Sequence, residues 1–344
     1  MNGISSRFLR GCLCGELRSD FDWEALYEDA AGQAVLPSLA CASRGLELPV
    51  AVREFLDAVE ASNRERNELI AGELKVAVGL LNAVGITPVL LKGVAYQAVE
   101  LYGDFGARYI QDIDLLLPVE QLRAGSAVLA ENGFAADVLD PFGGFRHHLP
   151  PLRRASRVCV ELHGKLGGGE CERVLPSREV IAGSVAWDVD GVKFRVPCPE
   201  HLALHLVLHS QVVHPYAERI WPPVRAMWDL VMLERKYGVD WGRVVARFPD
   251  TELHLMQVRE SLGVDLTTGN ASRLRWARRQ VLRRWPALRY VDPLYMFATL
   301  FRRRFRTLGN VLGSRGGWRY LMGQAFNPGN YGRLWTDLRE GRGR

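Results

Sequence analysis

Residues 89–118 read VLLKGVAYQAVELYGDFGARYIQDIDLLLP. An apolar run ends at Lys92-Gly93. Nineteen residues after the glycine comes Asp112-Ile113-Asp114, which leads into Leu115-Leu116-Leu117. Alternation along a strand puts Asp112 and Asp114 on one face, with Ile113, Leu115 and Leu117 on the other. Two carboxylates leaving a buried strand together are costly unless a positive group lies between them. A divalent cation meets that need.

The elements around this stretch follow from local patterning. Thr87–Leu91 reads as a strand, Val94–Tyr102 as a helix, and Gln111–Leu117 as the strand that carries the aspartates. Val119–Asn132 reads as a helix stopped by Gly133. Phe134–Leu139 and Arg157–His163 read as strands joined through PFGGFRHHLPP. Ala186–Val189 and Val192–Val196 flank Asp190-Gly191, a two-residue hairpin signal. Residues 86–197 are thus expected to form a mixed sheet with helices on it.

Helices are expected on either side. In residues 22–85 apolar positions recur at helical spacing, with a break at Pro37 and a long helix starting at Pro49. Leu56, Val59, Leu69, Ile70, Leu74, Val78, Leu81 and Val84 form its apolar stripe. Helices resume at Pro199, and Asp240 is placed to cap one starting at Trp241. The expected class is α+β, in four segments: a helical 1–85, the sheet-bearing core 86–197, a helical 198–286 and a basic Arg/aromatic tail 287–344.

Composition narrows the functional class. Of 344 residues, 48% are hydrophobic and 24% charged, as in ordinary folded proteins. No apolar run approaches the length of a membrane span. The first twenty residues lack the apolar core of a signal peptide. Six scattered cysteines suit thiols in a reducing compartment, so a cytoplasmic location is expected. Cys12-x-Cys14 has the wrong spacing for a zinc knuckle. Residues 273–344 carry 17 arginines and three acidic residues, a net of +14 against +5 for the whole chain, so the remainder carries −9. Arginine interleaved with aromatic residues, as in Phe301-Arg302-Arg303-Arg304-Phe305, suits an anionic partner, RNA or a membrane surface.

Asp-x-Asp on a strand, preceded by a strand–glycine–helix unit, is what metal-dependent nucleotidyl transfer needs. Carboxylates hold Mg²⁺ ions against the triphosphate. Gly93 would let the backbone approach a phosphate. In Arg157–His163, Cys159, Glu161 and His163 share one strand face. A strand lying beside the aspartates would bring Glu161 to the metals, as a further ligand or as base for the incoming nucleophile.

At these residues the chain resembles the nucleotidyltransferase family within the polymerase-beta-like superfamily. The resemblance rests on LLKG (90–93), Arg108 four residues before Asp112, DIDLLL (112–117), Asn132-Gly133-Phe134 and VELHGKL (160–166). Weaker matches are FDWEAL near the start, PEHLALHLVLHS (199–210), WDLVML (228–233) and Asp240-Trp241. It implies a polymerase-beta-like core, with Asp112, Asp114 and Glu161 as metal-binding catalytic carboxylates and two Mg²⁺ ions. It further implies an NTP donor and Lys92, Gly93 and Arg108 on the nucleotide side. For Arg108 the alternatives are a phosphate contact or a pair with Asp104 or Asp112. His163 and His209 are candidates on the acceptor side. Gly93 is followed by Val94 where the superfamily has a serine or glycine, so no hydroxyl is available there. His201, His205 and His209 recur every fourth residue. That spacing allows a transition metal, though a cleft-lining or core role is the expected one.

The expected function is Mg²⁺-dependent transfer of a nucleoside monophosphate from an NTP to a hydroxyl or phosphate of an unidentified acceptor, a small molecule, peptide or protein. The alternatives are a nucleotide-binding or regulatory module of the same fold with weak catalysis, and an enzyme that adds nucleotides to RNA.

Overall fold

The computed structural model of the chain describes residues 4–14, 21–136, 148–154, 158–210 and 222–269, together with 276, 277 and 281. The chain divides into two units, Met1–Arg283 and Arg284–Arg344. The second, and with it the expected tail 287–344, lies outside the described residues.

A seven-stranded mixed sheet forms the centre. Its strands are β1 (Val89–Leu91), β2 (Asp112–Leu116), β3 (Ala135–Ala136), β4 (Leu152–Arg153), β5 (Cys159–His163), β6 (Val185–Val189) and β7 (Val192–Val196). Their order is β3-β4-β5-β2-β1-β7-β6. β2 runs antiparallel to β1 and parallel to β5. Ile113, Leu115 and Leu116 are fully buried, as a central strand covered on both faces requires. Each such side chain contributes roughly 1.5–3 kcal/mol of burial. β6 and β7 form the expected hairpin. Asp190 and Gly191 both take positive φ, 51° and 80°, the geometry of a tight turn that matches the strand twist.

Before the sheet come α1 (Ile4–Cys14), α2 (Trp23–Gly32), α3 (Leu36–Ala42) and α4 (Val50–Ala83). The chain breaks at 33–35 rather than at Pro37, which lies in the first turn of α3, where its missing N–H costs nothing. α4 starts after Pro49, as expected, and packs on α3, β7, β2 and the helix Leu122–Glu131. Its buried face differs from the expected stripe. Leu69 and Val84 are exposed, while Asn63, Asn67 and Glu73 are buried. The polar three have specific partners. Asn63 Nδ2 donates to the carbonyls of Gly106 and Arg108, and Asn67 Nδ2 to those of Phe105 and Arg108. Glu73 pairs with Arg154. A hydrophobic stripe misses such positions because the buried face serves a loop backbone as well as the core.

α5 (Lys92–Ala98) leaves β1 directly, and α6 (Leu122–Glu131) covers the sheet between β2 and β3. α7 (Gly169–Val174) and α8 (Ser177–Ala182) link β5 to the hairpin and carry no strong sequence signal. Then come α9 (Pro199–Leu208), α10 (Val224–Tyr237), α11 (Trp241–Arg247) and α12 (Thr251–Leu262). Asp240 caps α11, its carboxylate accepting from Arg243 N at 3.0 Å. One apolar core runs from Phe8 and Leu9 through β1, β2 and β5 to Leu255 and Leu262. No helix among the described residues is long and apolar enough to cross a membrane, and all six cysteines are present as thiols.

Candidate active site

Strand register assembles the site. The antiparallel β1–β2 pair sets Leu91 opposite Asp114, so the chain leaves β1 at Lys92 beside that aspartate. On the other side the parallel β2–β5 pair sets Asp112 opposite Cys159 and Asp114 opposite Glu161. The two-residue period of β5 then carries His163 to the same face as Glu161.

The result is a compact charged cluster. Asp114 is fully buried. Its Oδ1 accepts from Lys92 Nζ at 2.7 Å and lies 2.7 Å from His163 Nε2. His163 Nε2 is also 3.4 Å from Glu161 Oε2. Burial alone would raise Asp114, yet Lys92 and His163 outweigh it and hold its carboxyl well below the usual range. Glu161 is likewise lowered, burial being overcome chiefly by His163. Burial works to lower Lys92 and His163, but their acidic neighbours raise both. Asp112 responds in the opposite direction. Burial, with Asp114 adding to it, pushes it up to about 6 against the pull of Lys92.

Ligand atoms of Asp114, Glu161 and His163 all lie within 4.8 Å of one another. Asp112 stands outside this group, two residues earlier on the same face. Asp114 Oδ2 is buried and has no hydrogen-bond partner among the described residues. A buried carboxylate oxygen without a donor is costly, and a cation at that position would satisfy it. Carboxylate oxygens are hard donors of the kind Mg²⁺ selects, so the residues fit a divalent cation. A second group, Cys41, Glu60 and Asp104, is already neutralised. Arg44 and Arg64 both bond to Glu60 and Asp104.

Lys92 has φ +49°, a left-handed conformation costing about 1–2 kcal/mol for a residue with a side chain. It turns the chain from strand into helix at the point nearest Asp114. At Gly93 the structure adds a packing reason for glycine. A Cβ there would meet Arg108 Nη1 at 2.9 Å and Ile110 Cγ2 at 3.0 Å. The side chains of the 102–110 loop therefore cover this glycine.

Arg108 pairs with neither Asp104 nor Asp112. Its Nε and Nη2 donate to Asp229 Oδ1 and Oδ2 on α10, at 2.8 and 2.9 Å. Tyr102 donates to the same Asp229, and the guanidinium lies 4.9 Å over the Tyr96 ring. Asp229 sits in the WDLVML stretch, but nothing local marks it as the partner of an arginine so distant in sequence. The site section that local reading also misses is His148, whose ring lies 5.2 Å from that of His163. His148 bridges to His163 in backbone register as well.

The two histidines expected on the acceptor side part company. His163 is 1% exposed and lies in the carboxylate cluster, against Asp114 and Glu161. His209 lies at the end of α9, its ring packed edge-on against His205 at 6.2 Å. His201 turns instead to Glu179, at 3.6 Å. The three do not form a metal-binding group among the described residues.

A family model described as an uncharacterised nucleotidyltransferase matches residues 19–257, ending before the basic segment. Among solved structures, the chain is similar to the antibiotic-resistance factor ANT(2'')-Ia at 13% identity, over 58% of this chain and 97% of that one, with a TM-score of 0.37. It is also similar to an antigenic nucleotidyltransferase-like protein from Paracoccidioides brasiliensis at 15% identity, over 54% and 90%, with a TM-score of 0.34. No curated protein matches the chain.

Proposed function

Because the chain belongs to this nucleotidyltransferase family, we propose that it moves a nucleoside monophosphate from an NTP to a hydroxyl or phosphate of an acceptor, with Mg²⁺ as cofactor. The acceptor class is a small molecule, peptide or protein. The observation that carries this reading is the pairing of Asp114 with Glu161 in register, with Asp114 Oδ2 buried and without a hydrogen-bond partner among the described residues.

Asp114 and Glu161 would hold the ion, with Asp112 at the rim. When bound, it supplies charge neutralisation for the triphosphate and the departing pyrophosphate. Glu161, whose side chain is 17% exposed, is the carboxylate best placed to take a proton from an incoming hydroxyl. His163 orients Asp114 through its 2.7 Å contact. Lys92, a quarter exposed, presents positive charge on the nucleotide side. Arg108 works as a positioning residue. It secures the 102–110 loop to α10 through Asp229 and so keeps Gly93 and Lys92 in place.

Calorimetry with NTP and Mg²⁺ tests the assignment, comparing the wild type with an Asp112→Ala, Asp114→Ala double variant. Equal binding by both would sink it. One observation favours the weaker-catalysis reading. Val94 is fully buried, so the position after Gly93 offers no group to a phosphate. Pyrophosphate release on incubation with NTPs and candidate acceptors separates the two, because a regulatory module releases none. The charge of residues 273–344 supports an anionic partner. Truncation at 287 should weaken RNA binding with a steep salt dependence if that partner is RNA. The scattered cysteines support a cytoplasmic setting.

A further inference from the structure

We infer that Lys92 replaces one of the two metal ions of a nucleotidyl-transfer site, so that the chain uses a single divalent cation, seated on Asp114 Oδ2 and Glu161. The inference rests on the nucleotidyltransferase reading above and departs from the two ions expected from sequence.

A carboxylate that bridges two ions gives one oxygen to each. Asp114 has only one oxygen to give. Its Oδ1 is engaged by both Lys92 Nζ and His163 Nε2, each at 2.7 Å, and Oδ2 has no partner among the described residues. The fold brings the ammonium to Oδ1. The register that sets Leu91 opposite Asp114 delivers Lys92 to this place, and its left-handed backbone at φ +49° persists only because the surrounding structure determines it. The covered Gly93 next to it, against Arg108 and Ile110, leaves the turn little room to rearrange.

Manganese is a suitable probe, because free Mn²⁺ is counted by its paramagnetic resonance signal. The full chain is titrated with Mn²⁺ alone and with a non-hydrolysable NTP analogue. The expected result is one tightly bound ion per chain in both cases. Lys92→Met removes the competing positive charge and is expected to tighten Mn²⁺ binding by at least about tenfold. Lys92→Arg keeps the charge and is expected to retain one ion. Two ions per wild-type chain in the presence of the analogue would overturn the inference, and so would a folded Lys92→Met chain that binds no tighter. If Lys92→Met fails to fold, the wild-type count decides alone. A wild-type chain that binds no Mn²⁺ at all overturns the metal-dependent reading of the site along with this one.

Discussion

Arg108 and Asp229, 121 residues apart, meet in a two-pronged ion pair inside the protein, with N–O distances of 2.8 and 2.9 Å. Asp229 is fully buried and the Arg108 side chain is 11% exposed. A buried pair of this kind need not stabilise the fold relative to two apolar residues, but removing one partner strands the other charge. Asp229→Ala should therefore lower stability by roughly 3–5 kcal/mol in urea titration. Combining Arg108→Met with Asp229→Leu should recover much of that loss. A cost below about 1 kcal/mol for Asp229→Ala would mean that Arg108 finds another anion.

The covered glycine at 93 makes a second prediction. Gly93→Ala places a methyl against a guanidinium that Asp229 holds in position. Neither Arg108 nor Ile110 can yield without disturbing the loop, so the expected cost is about 1–3 kcal/mol. In the Asp229→Ala background Arg108 is released, and the added cost of Gly93→Ala should shrink. Additive costs in that double-variant cycle would show that the two positions are independent.

Asp112 provides a pH test. An aspartate in an unfolded chain titrates near 4, whereas burial beside Asp114 pushes Asp112 up to about 6. Between those values the folded chain keeps a proton that the unfolded chain has released. This group's contribution to stability therefore falls as pH rises from about 4 to about 6, and the cost persists above. Asp112→Asn should stabilise the metal-free chain by roughly 1–3 kcal/mol at pH 8 and by almost nothing at pH 4. The same titration predicts that Mg²⁺ binding weakens in the wild type as pH drops below about 6, because the proton and the ion compete. A stabilisation of equal size at both pH values would contradict the assignment.

Thiol chemistry reports on the fold independently of the site. Burial pushes Cys12, Cys41 and Cys171 up to about 12 and raises Cys198 as well. Cys159 is buried, while Cys14 is exposed. Reaction needs an accessible thiolate. At pH 8 an aromatic disulfide reagent should modify one cysteine quickly and the other five only on unfolding. Cys14→Ser should abolish the fast phase. Two fast thiols in the native chain would place a second cysteine at the surface.

The sequence by itself determined which residue types share a face and where the central strands lie. Alternation is a local property, so Asp112 with Asp114, and Glu161 with His163, could be read without knowing their neighbours. The Asp190-Gly191 hairpin and the Asp240 cap are equally local, since each is set by backbone preferences within a few residues. Polar residues on α4 were not legible, because Asn63 and Asn67 are buried to hold carbonyls of a loop about forty positions away. Only the tertiary structure decided which groups meet. It placed Lys92 on Asp114, His163 inside the cluster, Arg108 on Asp229 and the 102–110 side chains over Gly93. The physical reason is that strand register and helix packing choose partners across 22 to 121 residues of chain. Residue periodicity states which face a side chain takes, but it carries no information about which element comes to cover that face. The aspartate strand is legible in residues 89–118 alone. That its buried carboxylate already holds an ammonium on one oxygen, and leaves the other open, could be seen only once β1 and β5 stood on either side of it.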